Sequence, residues 1–219
     1  MKLAIFDIDG TLFEGTTERR FWQYLAKHGR QGPWQLLAYV GFWLRYVAVY
    51  GARTAKKNKA YLAGLAVAET ESLAADFVTT EIVPHLYSPA VTRLAQHRQR
   101  GDTVVLISGT LEPIARPLAA ALGVDHVRAT VCGQRGGFYL AGPPEVHPFV
   151  TTKLALATEI AAQLGADLRE ASAYADSRHD LALLAAVGNP VAVRPDSALL
   201  ATARGNRWDI IASREALPL

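Results

Sequence analysis

A short apolar run that ends in two acids sets the strongest limit on what this chain can fold into. Leu3 to Phe6 are all apolar, and Asp7, Ile8, Asp9, Gly10 and Thr11 follow at once. A buried strand that delivers carboxylates and a glycine turn to one edge of a sheet is how an α/β protein builds a site. Asp7 and Asp9 lie two residues apart, so on an extended chain they share a face. Where the chain bends at the strand end, they can instead converge on one ligand. Taken alone, the same residues also read as a strand followed by an ordinary Asp-Gly turn.

The rest of the chain favours the first reading. From residue 90 onward, amphipathic helical stretches alternate with apolar strand stretches. Strands are expected at 102–108, 125–131, 170–175 and, as the last one, 189–195. Helices are expected at 90–101, 111–123, 151–165 and 179–188, the third capped by Thr151 or Thr152. Gly136 and Gly137 mark a hairpin turn. Five apolar strands separated by helices imply a parallel sheet with right-handed crossovers, a Rossmann-like three-layer α/β core.

Between the first and second strands lies a helical block, residues 15–88. Thr16 or Thr17 can cap its first helix, with Glu18 in the first turn. A third helical pattern runs from about Thr70 to His85. The block is far longer than a crossover needs. It reads as an all-helical cap subdomain inserted into a core made of 1–14 and 89–219.

Composition narrows the class. Half of the 219 residues are hydrophobic and 20% are charged, which suits a packed core and not a disordered chain. A net charge of +3 is too mild for a nucleic-acid footprint but fits an anionic substrate. The single cysteine, Cys132, forms no internal disulfide and no metal cluster. Acids within ten residues of Lys2 argue against a signal peptide and for a cytoplasmic protein. No HExxH, GxGxxG or GxxxxGK[ST] pattern occurs. Residues 34–50 are nearly all apolar, with Arg45 among them. That stretch is short for a membrane span. It reads first as a helix buried in a bundle; if it meets a membrane, its Trp and Tyr content suits the interface.

In parallel sheets the ligand site lies beyond the carboxyl ends of the strands. Those ends carry Asp7 and Asp9, then Ser108, Gly109 and Thr110, then Asp176 and Asp180, with Lys153 opening the helix before the Asp176 strand. Carboxylates this close repel unless a cation joins them. All-oxygen ligands suit Mg²⁺. Ser108 and the Gly109 and Thr110 amides suit phosphate oxygens at a strand-to-helix junction, and Lys153 adds a positive charge. Together these parts suit phosphoryl transfer to a carboxylate nucleophile. His179, within the acidic motif, either reaches a bound phosphate or is an exposed residue at a helix start.

DIDGT at 7–11, SGT at 108–110, Lys153 and ADSRHD at 175–180 resemble, in order, the four motifs of the haloacid dehalogenase superfamily. The paired aspartates resemble its phosphatases, and the helical insertion resembles its phosphoserine-phosphatase-like branch. The resemblance implies that Asp7 attacks phosphorus and Asp9 serves as acid and base. It implies Mg²⁺ held by Asp7, Asp176 and the Asp9 carbonyl, with Asp180 behind them. It also implies phosphate contacts from Ser108, Gly109, Lys153 and Thr11, and a small phosphorylated substrate. In the phosphoserine enzymes a glutamate stands nine residues after the nucleophile, where this chain has Thr16. Other members of the branch act on lipid phosphates, a second reading for a chain with so apolar a cap.

Overall fold

A computed structural model describes residues 2–211, so the last residues of the expected core segment lie outside the description. The first strand, β1 (Leu3–Phe6), is buried at every residue. Four helices follow: α1 (Thr17–Lys27), α2 (Pro33–Tyr50), α3 (Thr54–Lys57) and α4 (Val67–Phe77). The chain then alternates through α5 (Ser88–Gln99), β2 (Thr103–Leu111), α6 (Glu112–Leu122) and β3 (His126–Thr130). A hairpin of β4 (Gln134–Arg135) and β5 (Phe138–Tyr139) turns at Gly136 and Gly137, both with positive φ. The rest is α7 (Thr151–Gln163), β6 (Ser172–Ala175), α8 (Leu181–Ala186), β7 (Asn189–Val193), α9 (Ser197–Asn206) and β8 (Asp209–Ile211).

The main sheet has six strands in the order β3-β2-β1-β6-β7-β8, and every pairing is parallel. The chain leaves β1 toward β2 and β3 on one side and later returns to β6 on the other. β1 is therefore the switch point, where its carboxyl end opens a crevice between diverging connections. Alternation along β1 sends Ala4 and Phe6 into one core layer and Leu3 and Ile5 into the other. The first layer includes residues of α1, α4, α5 and α6; the second includes residues of α7, α8 and α9. Being packed on both faces explains why β1 reads as an unbroken apolar run.

Several expectations need correction or refinement. The last strand is β8, a three-residue edge strand beyond β7. β2 does not stop at Ser108 but continues to Leu111, with its pairing to β3 shifting register between Ile107 and Leu111. The helical pattern expected to reach His85 does so, but it widens after Phe77 into a π turn at Val78–Ile82 and tightens at Val83–His85, where Pro84 cannot donate. Neither Thr151 nor Thr152 caps α7; the residue before it is Val150, at φ 55.

The largest correction concerns α2. Instead of lying inside a bundle, it buries only Phe42. Its inner side is held by Tyr39 packed on Trp22 and by Asn58 donating to the Tyr39 carbonyl at 2.9 Å. Gln35 also donates to the Ala63 carbonyl at 3.2 Å. Its outer side is open: Trp34 is 63% exposed, Leu37 65% and Leu44 75%. A helix apolar all round reads as buried, yet the described residues supply a layer on one side only.

Candidate active site

Asp7 is the first residue past β1, and its amide still donates to the Tyr174 carbonyl of β6 at 3.0 Å. That bond fixes the carboxylate at the switch point. One Asp7 oxygen accepts from the Ile8 amide at 2.8 Å, and the other meets the Lys153 amine at 2.8 Å. The same amine meets Asp180 at 2.8 Å. Lys153 comes from the first turn of α7 and Asp180 from the turn before α8, so two core elements clamp onto the end of β1. All three side chains are buried. Burial alone works to lower the Lys153 amine, but the charges of Asp7 and Asp180 outweigh it and hold its pKa above the usual value. Burial raises the Asp180 carboxyl, with Lys153 opposing.

Gly10 makes the next turn possible. Its φ is +81, and a Cβ there would stand 2.1 Å from an Asp176 oxygen. A side chain at this position would displace Asp176 from the cluster. With the glycine in place, carboxylate oxygens of Asp7, Asp176 and Asp180 all lie within 4.8 Å of one another.

Asp9 faces a different set of partners. The Thr17 amide, opening α1, donates to one oxygen at 2.8 Å, and the Thr110 hydroxyl donates to the other at 3.1 Å. The cap expected of Thr16 or Thr17 is therefore supplied by Asp9 from outside the helix. Burial pushes the Asp9 carboxyl up to about 6, against the Thr17 hydrogen bonds that hold it down; the Asp7 charge adds to the rise. Two acids two residues apart thus sit in unlike surroundings, one paired with an amine and one held by neutral donors.

The remaining expected residues divide. Ser108 is buried, its hydroxyl 3.1 Å from that of Thr110. It lies inside β2, and α6 begins only at Glu112, so the Gly109 and Thr110 amides are not a helix N-terminus. The Thr110 amide donates to the Ser108 hydroxyl at 3.3 Å. Thr11 is fully buried next to Gly10 and is not among the residues that wall the cavity. His179 is not an exposed helix-start residue: it is half-buried against the Phe149 ring at 4.9 Å.

These groups wall a cavity of about 300 Å³ that includes Asp7, Asp9, Ser108, Gly109, Lys153, Asp176, Asp180 and His179. Sequence reasoning missed His147 and Phe149, which line it from the loop before α7. Nothing local marks them, because that loop has no periodic pattern. It also missed the part that Thr17 and Thr110 play beside Asp9. From the helical block come Glu18, Lys56 and Lys59, with Lys59 buried and ion-paired to Glu18. A second cavity, about 590 Å³, shares Thr16, Glu18 and Lys56 with the first and is walled by the rings of Trp22, Tyr39 and Tyr61. A wider depression of about 1210 Å³ opens at the opposite, amino end of the strands. Arg93–Asp209 and His97–Asp102 pairs occupy two of its three acids, the third being Glu170, and none of the acids described above reaches it.

Paired aspartates, a buried lysine and two further acids that follow β6, Asp176 and Asp180, thus meet at the sheet switch point. The model of the haloacid dehalogenase-like hydrolases matches residues 4–185, and the chain belongs to that family. Among its relatives is the histidinol-phosphatase of Neisseria meningitidis serogroup C (strain 8013), 31% identical over 221 residues, covering 95% of this chain and 97% of that protein. The inhibition of morphological differentiation protein of Streptomyces azureus is 33% identical over 162 residues. That match takes in 71% of this chain but only 58% of the Streptomyces protein. A solved structure of a protein of unknown function from Bordetella pertussis Tohama I shares the fold with a TM-score of 0.81 at 28% identity, covering 96% of this chain and 98% of that one.

Proposed function

We propose that the chain hydrolyses small phosphomonoesters through an aspartyl phosphate formed on Asp7. The observation that carries this reading is the Lys153 amine held between Asp7 and Asp180, 2.8 Å from each, at the end of β1. It holds the Asp7 carboxylate in place by an ion pair, and it places a positive charge where phosphoryl oxygens would lie. In the first step an Asp7 oxygen bonds to phosphorus and the phosphorus–oxygen ester bond breaks. The leaving alkoxide takes the proton of Asp9, which burial helps to hold on that carboxyl. In the second step Asp9 takes a proton from water, the water oxygen attacks phosphorus, and phosphate leaves Asp7.

The donor set fits Mg²⁺. Three carboxylates converge within 4.8 Å, all ligands are hard oxygens, and the cradle at Gly10 leaves Asp176 its place. Asp7, Asp176 and the Asp9 carbonyl would hold the ion. When bound it supplies charge neutralisation for the transferring phosphoryl group. Ser108, Gly109 and Lys153 are our choice for the phosphate contacts, and residues 15–88 for the cap that selects the leaving group.

The aromatic cavity beside Glu18 supports a leaving group with an apolar or planar body, on the phosphate's far side. A substrate of the histidinol phosphate kind, with a ring and an amine, suits those rings and the Glu18 carboxylate. The same apolar walls support the lipid-phosphate reading as the alternative. Phosphate release from phosphoserine, histidinol phosphate and a short-chain lipid phosphate, each with Mg²⁺ or with chelator, tests this. Release that needs Mg²⁺ and is lost in Asp7→Asn is the expected result. Release that survives in Asp7→Asn contradicts the mechanism, and the preferred substrate decides between the two leaving groups.

A further inference from the structure

The outer face of α2 has no role in the chemistry above, and it combines two properties. It is apolar: Leu36, Leu37, Val40, Trp43 and Leu44 fall on one side of the helix by their spacing, turned away from the buried Phe42. These five are between 41% and 75% exposed. The chain around it also carries one sign of charge. From residue 19 to residue 68 the chain has nine Lys and Arg and no Asp or Glu. Arg45, Arg53 and Lys56 of this set are exposed and form no ion pair with an acid among the described residues.

We infer that the α2 face docks the protein on an anionic lipid surface, with the helix lying in the plane of the interface. The 18-residue helix presents one apolar side, carries Trp43 on it, and has cations flanking it, which is what an interfacial helix requires. No helix of the described residues is long and apolar enough to cross a membrane, so the mode is surface contact. Charge decides between occupants. A second copy would set the unpaired, exposed Arg45 and Arg53 against their own counterparts, since a two-fold contact places like patches face to face. An anionic bilayer answers both the apolar stripe and these cations. The inference does not depend on the catalytic reading. Lys56 does link the two regions, because it also lines the acidic cavity. Docking would therefore hold that cavity close to the lipid surface.

The test is flotation of the full chain with phosphatidylcholine vesicles, with and without phosphatidylglycerol. Wild type should float with the anionic vesicles, bind less as salt is raised, and bind weakly to phosphatidylcholine alone. Its tryptophan emission should shift to the blue on binding. A Leu37→Glu/Leu44→Glu double variant should keep its melting curve and near-ultraviolet dichroism, because both side chains are exposed, yet lose roughly tenfold or more in vesicle affinity. Arg45→Glu/Arg53→Glu should lose binding to anionic vesicles specifically. Absence of flotation on anionic vesicles overturns the inference. So does a Glu double variant that floats like wild type, or a concentration-dependent dimer by sedimentation with no vesicle binding.

Discussion

β1 and α2 are both strongly apolar stretches of this chain, and they meet opposite fates. All four residues of β1 are buried, between two core layers. Of the eighteen residues of α2, only Phe42 is buried. Apolar content says that a segment gains by leaving water; it does not say what will cover it. For β1 the cover is in the chain, as strands on both sides and helices above and below. For α2 the described residues supply only the inner side, resting on Trp22 and the residues around Tyr61. The difference also separates two jobs. On the readings proposed above, the fully packed strand would fix the carboxylates of the proposed chemistry, and the half-packed helix would offer the proposed surface.

Stability measurements can break this contrast. Phe6→Ala removes a ring stacked on Tyr174 at 4.1 Å and should cost ~3–5 kcal/mol in urea unfolding. A cost near zero would mean that β1 is not packed as described. Lys153→Met leaves Asp7 and Asp180 without their shared amine and should cost about 3 kcal/mol or more near neutral pH. That loss should shrink as the pH falls and Asp180, whose carboxyl burial raises, takes up a proton.

A smaller effect should come from His147. Burial, reinforced by the charges of Lys59, Lys57, Lys56 and Lys153, pushes its imidazole down to about 3. In the unfolded chain a histidine takes its proton at about 6.5. Between those values the unfolded state binds more protons, so folded stability falls as pH falls through that window. Wild type should therefore lose stability relative to His147→Gln on going from about pH 8 to about pH 5, at no more than ~1.4 kcal/mol per pH unit. Parallel pH curves for the two proteins would place His147 in water. Smallest of all is Leu44→Ala, on the open face, which should change stability by less than ~0.5 kcal/mol. A loss like that of Phe6→Ala would show that α2 is covered in solution.

The parts of the molecule legible in the sequence are those whose signal is local. An unbroken apolar run marks a strand packed on both faces, and acids at its end mark the sheet edge. Lys153, Asp176 and Asp180 follow the same logic, each beside a strand or helix that periodicity reveals. β8 was not legible because it is a three-residue edge strand, half exposed, formed only through pairing with β7. The extension of β2 through Ser108 to Leu111 arises from β3 and from the Thr130 hydroxyl donating to the Gly109 carbonyl at 2.7 Å, contacts distant in sequence. Thr17 and Thr110 lie ninety-three residues apart and become neighbours of Asp9 only after folding. The open face of α2 eluded the sequence for the converse reason: its local signal is strong, but exposure depends on what the rest of the chain leaves uncovered.

The central claim is that Asp7 carries the phosphoryl group during turnover. Acid-quenching the enzyme during turnover of a phosphomonoester with Mg²⁺, followed by peptide mass spectrometry, examines that bond directly. A phosphoryl adduct on the peptide containing Asp7, present in wild type and absent in Asp7→Asn, is the expected result. An adduct on another residue, or undiminished hydrolysis by Asp7→Asn with no adduct on that peptide, would contradict the account.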